Sequence, residues 1–111
     1  MNPNPVTSEW TDDPEELDLD SEYWSDPESP ARTMAAAYGL ANPTPILCST
    51  RQSGNCMYLI ESQSKYYLWN QIESDVWHIE SPTIKNEILR TIGTQGVSGL
   101  QVKRLNRVTR A

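Results

Sequence analysis

Phenylalanine is absent from this 111-residue chain, histidine occurs once, as His78, and cysteine twice, as Cys48 and Cys56. One histidine and two cysteines do not make a zinc spacing. The sequence also lacks a Gly-rich phosphate loop and a serine or cysteine elbow. No catalytic residue, metal ligand or cofactor site is therefore assigned. His78 and Glu80 would share one face of a strand, a pair that can hydrogen-bond or stand solvated at a sheet edge. A folded region of roughly 80 residues encloses little pocket volume. The expectation is a non-enzymatic protein.

No run approaches the ~20 apolar residues of a membrane span. The N-terminus has neither the basic start nor the apolar stretch of a secretory signal, and it is too acidic for a transit peptide. These absences predict a soluble, cytoplasmic chain with no membrane contact. Cys48 and Cys56 flank the polar stretch "STRQSGN". On a hairpin they would be neighbours, so a disulfide is sterically open. A reducing compartment favours two buried thiols instead, since cysteine packs as a small hydrophobe.

Lysine and arginine are missing from residues 1–30, which hold ten acids. The remainder carries nine bases against five acids, so a leader of charge −10 joins a body of +4. Such asymmetry suggests an interaction tail, or an arm that folds back on its own body. Residues 1–29 have four prolines and few aliphatics. By composition they cannot bury enough apolar surface to offset their ordering entropy, which predicts disorder in isolation. Trp10, Tyr23 and Trp24 interrupt the acids Asp12, Asp13, Glu15, Glu16, Asp18 and Asp20. Aromatics among acids mark a segment that orders on docking.

Residues 30–108 read as one compact α+β domain, with residues 109–111 a frayed basic end. "SPARTMAAAYGL" predicts a short helix. Ser29 caps it, Pro30 suits its first turn and Gly39 provides a left-handed stop. "ILCST", "NCMYLIES", "YYLWNQI" and "DVWHIES" are rich in Ile, Val, Tyr and Trp and are separated by short polar breaks, which predicts an antiparallel meander. "SPTIKNEILRTIG" carries Ile84, Ile88 and Ile92 four apart, predicting a helix that starts at Ser81-Pro82 and stops at Gly93. "LQVKRLNRV" alternates as a final strand. The expected fold is a meander of three to five strands with one or two short helices, preceded by the acidic arm.

Alternation makes both faces of this sheet apolar. Tyr58 and Ile60 oppose Met57 and Leu59, and Tyr67 and Trp69 oppose Tyr66 and Leu68. A sheet with one wet face would alternate more cleanly, so two covers are needed. Any aromatic left uncovered would be a contact surface, with Tyr67, Trp69 and Trp77 the candidates. The leading functional expectation is an adaptor or accessory subunit that docks through the arm and a sheet surface onto another protein with a basic surface. The alternative is a single-strand RNA or DNA binder. It would use the sheet aromatics and the basic patch Lys103, Arg104, Arg107 and Arg110, with the arm as intramolecular competitor.

Overall fold

The computed structural model describes residues 10–19, 22–49 and 57–108. They form one six-stranded antiparallel sheet with two α-helices. The strands are β1 (Trp10–Thr11), β2 (Thr44–Ser49), β3 (Met57–Ser62), β4 (Lys65–Asn70), β5 (Asp75–Ser81) and β6 (Gln101–Arg104), and they lie side by side in chain order. α1 spans Pro30–Tyr38 and α2 spans Lys85–Gln95. The strand count exceeds the expected three to five because Trp10–Thr11, within the acidic leader, pairs with Cys48 and Ser49 and becomes an edge strand.

Side-chain alternation places the two apolar sets as the sequence implies. Tyr58 stands opposite Trp69, which stands opposite Val76; Leu59 stands opposite Leu68, and Leu68 opposite Trp77. The first row belongs to a core containing Leu17, Ala31, Met34, Ala35 and Tyr38, so the leader and α1 cover that face. The second belongs to a core containing Ile88, Ile92 and Leu100, so α2 covers the other. Pro45 lies on β2 where β1 no longer reaches, an edge position that tolerates its missing N–H.

α1 follows its local code. Ser29 Oγ accepts from the Arg32 amide at 3.1 Å, Pro30 opens the first turn, and Gly39 sits at φ 69°. At that φ a side chain is disfavoured. Its N–H reaches the Ala35 and Ala36 carbonyls. α2 departs from the expected bounds. Ser81 is the last residue of β5 and pairs with Gln101, so the ladder uses the residue expected as a cap. A cis Ser81–Pro82 bond follows, and the helix begins three residues after Pro82 with Ile84 as an N-cap that makes no side-chain bond. Gly93 lies inside the helix, which is anchored by Ile88 and Ile92 and runs on past the glycine to Gln95, where the Gly96 amide closes it on the Ile92 carbonyl.

The expected strand through Ile72 ends at Asn70. Its side-chain oxygen accepts from the Ile72 and Glu73 amides at 3.0 and 3.2 Å and bends the chain into the β4–β5 turn. The last strand ends at Arg104 rather than near Val108. The tail then crosses towards α1, where the Val108 amide donates to the Ala37 carbonyl at 2.7 Å.

Candidate functional site

The acidic leader is built from chained turns. The Asp13 amide donates to Thr11 Oγ1, and the Glu15 and Glu28 amides donate to the carboxylates of Asp13 and Asp26, at 2.9–3.1 Å. The Leu17 and Leu19 amides return to the Asp13 and Pro14 carbonyls. Acids that make the leader too polar for a core of its own thus double as turn acceptors. The apolar residues between them use the body's core. Trp10 is buried on the α2 face and Leu17 on the opposite face, so the leader wraps the β1–β2 edge of the sheet. Composition predicts disorder for a segment taken alone; the described residues 10–19 and 22–29 instead lie against the sheet, which supplies the burial they lack.

Four rings hold the leader down. Tyr23 stacks near Tyr58 and Trp69, with centroids 6.4 Å away in each case. Trp24 meets the edge of Tyr58 at 5.3 Å and of Trp69 at 6.1 Å. The Trp24 indole N–H donates to the Leu17 carbonyl at 2.7 Å, and the Gln71 amide donates to the Tyr23 hydroxyl. Tyr58 donates its hydroxyl to the Asp18 carboxylate at 2.9 Å. Burial, and then the Asp18 charge, push the phenols of Tyr58 and Tyr23 above their ordinary range. Ser29 couples the leader to α1: its hydroxyl donates to the Tyr23 carbonyl at 2.5 Å and accepts from the helix's first turn.

Folding the leader in this way leaves its carboxylates outside. Asp12, Asp13, Glu15, Glu22, Asp26 and Glu28 are exposed, while Glu16 and Asp18 are half-buried. Among the described residues none of those six exposed acids forms an ion pair. Asp20 lies outside the described residues. A cleft of about 520 Å³ opens beside this surface, between Tyr23, Met34, Tyr38, Trp69, Gln71 and Arg107.

The other residues singled out from sequence do not form one surface. Tyr67 and Trp69 are only 9% and 4% exposed, covered by the leader and α1, and Trp77 is half-buried on the opposite face. An uncovered patch of these three is thus replaced by a covered pair and a separate tryptophan, because the leader supplies the second cover the sheet needs. Lys103 and Arg104 alternate across β6; Arg104 binds Asp75 at 2.6 Å, and Arg107 lies 5.8 Å from the centre of the Tyr38 ring. Arg110 lies outside the described residues.

His78 packs 5.3 Å from Tyr67 and stands opposite Lys103. Cys48 is a buried free thiol whose pKa rises to about 11, through burial and then the Glu16, Asp18 and Asp13 carboxylates. Cys56 lies outside the described residues. Among the described residues no group of three His, Cys, Asp or Glu side chains could hold a metal ion, and no helix is long and apolar enough to cross a membrane.

Sequence reasoning missed Gln71, Ser29 as a two-way tie, and the row of Met57, Leu68 and Val102 on the α2 face. Only the alternation from Leu100 to Lys103 pointed towards that last feature. Comparison with protein-family models, with curated proteins and with solved structures finds no match.

Proposed function

We propose that the protein is a non-enzymatic binding module, an adaptor or accessory subunit, that presents its docked acidic leader to a basic surface of another protein. One observation carries this reading: six exposed carboxylates, none in an ion pair among the described residues, sit on a segment whose backbone is already held by four aromatic rings and the Asp18, Leu17 and Gln71 hydrogen bonds. A pre-ordered segment loses little conformational entropy on binding, and a one-signed surface speeds encounter with its opposite. The tryptophans expected to grip the partner grip the sheet instead, so recognition falls to the carboxylates and the cleft rim at Tyr23 and Arg107.

Neutralising the six acids together (D12N, D13N, E15Q, E22Q, D26N, E28Q) tests this without removing the ring cluster. After nuclease treatment, a partner captured by the wild type at low salt is expected to be lost with the neutralised chain. Equal capture by both would end the proposal. Nucleic-acid binding predicts something else: tighter retention of single-stranded RNA or DNA once Trp24→Ala loosens the leader from Tyr58 and Trp69.

A further inference from the structure

Among the described residues β6 is an outer strand of the sheet, bonded only to β5, and all four of its residues are exposed. Its free side presents main-chain donors and acceptors to a further strand. Its side chains are sorted by face. Val102 stands opposite Ile79 and Arg104 opposite Trp77, whereas Lys103 stands opposite His78 on the other face. Inside Val102 lies a shallow apolar groove of about 230 Å³, bounded by Met57, Leu68, Trp77, Val97 and Ser98. Val102 is 37% exposed at its mouth, and Trp77 is half-buried along it. α2 covers the rest of this face but leaves that groove open.

We infer that β6 and this groove receive an extended acidic segment of another protein as a seventh, antiparallel strand. Carboxylates would stand opposite Lys103 and Arg104, and an apolar side chain opposite Val102 would lean over the groove. Charge selects the occupant. Lys103, Arg104 and Arg107 lie along this edge of a chain whose net charge is −6; Glu73 and Asp75 lie beside Arg104 and Arg107, and Glu80 lies on β5 two residues from His78, the partner of Lys103. Asp75 uses one contact of Arg104, whose side chain remains 63% exposed, and a guanidinium has further N–H groups to give. A second copy of this chain paired β6 to β6 in full antiparallel overlap would set Lys103 against Val102 and Arg104 against Gln101, giving neither cation a carboxylate opposite it. This surface lies at the opposite edge of the sheet from β1 and does not depend on the reading given to the acidic leader.

The test uses the full chain and a capped, fluorescein-labelled peptide, Thr-Thr-Glu-Glu-Leu-Thr-Val, followed by anisotropy and by amide shifts. Two control peptides carry Lys-Lys in place of Glu-Glu, or N-methyl groups on alternate amides. Expected are saturable binding of the first peptide alone, shifts concentrated at residues 101–104 and the Trp77 indole, and roughly tenfold weaker binding to Lys103→Glu. Lys103 is exposed, and a matching circular dichroism spectrum checks that the variant folds. A second variant, Val102→Thr, should weaken binding while leaving charge unchanged. No saturable binding, equal binding of either control peptide, shifts elsewhere, or a concentration-dependent dimer that protects the β6 amides would each overturn the inference.

Discussion

The Tyr58 hydroxyl donates to Asp18, and its ring lies within 5.3–6.4 Å of Tyr23, Trp24 and Trp69. The folded state holds the Tyr58, Tyr23 and Tyr67 protons more tightly than the ordinary value of 10.0 allows, chiefly because burial penalises tyrosinate. Cys48 behaves alike, rising from 9.0 to about 11. Above those ordinary values the unfolded chain releases protons that the folded chain retains, so proton binding is greater in the native state and stability falls with pH. The contribution is complete below pH 9 and declines as pH rises through the Cys48 value of about 11 and on towards the tyrosine values. Urea midpoints between pH 7 and 11 should show this decline, and Tyr58→Phe should make it shallower. The same substitution should cost about 1–2 kcal/mol at pH 7, since half-buried Asp18 loses a donor. An unchanged alkaline slope would remove Tyr58 from the account.

At the scale of elements, α2 starts without a side-chain cap. Ile84 occupies the N-cap with φ −96° and ψ 130°, and its side chain is 58% exposed. Aspartate suits both that backbone and the positive end of the helix. Ile84→Asp should stabilise the protein by about 1 kcal/mol and raise Tm by a few degrees, about 4 °C or more for a domain of this size. A lower Tm would mean that the exposed isoleucine makes contacts its surface hides. The β3–β4 hairpin turns through Gln63 and Ser64 at φ 51° and 66°, between paired Ser62 and Lys65. Two left-handed residues match a two-residue hairpin but favour Asn-Gly. Ser64→Gly should therefore gain about 1 kcal/mol in denaturant unfolding. A neutral result would show that the turn already relaxes around serine.

Across the whole molecule, the acidic leader is one of the two covers of the sheet. Removing residues 1–28 would strip Leu17, Tyr23 and Trp24 from one core and Trp10 from the other. Each such side chain buried contributes about 1.5–3 kcal/mol. The truncated chain should unfold at a much lower temperature and bind a hydrophobic dye, with Tyr58, Trp69 and Cys48 uncovered. An unaltered melting curve would mean that the leader contributes charge alone. This coupling is why neutralisation, rather than truncation, separates binding from folding in the capture experiment.

What the amino-acid sequence determined by itself was local. Ser29, Pro30 and Gly39 set the bounds of α1 through neighbours in the chain, and alternation from Met57 to Ile79 assigned each residue to a face. It also showed that both faces were apolar and needed covering. Tertiary structure decided which segments did so. The start of α2 moved because Ser81 was taken by a strand distant in sequence. Tyr67 and Trp69 were covered, rather than left as a contact surface, because the leader found its apolar complement on the sheet. Burial and hydrogen bonding are properties of a segment together with its surroundings, and the Asp18 and Tyr23 side chains of this acidic leader find partners 40 and 48 residues further along the chain.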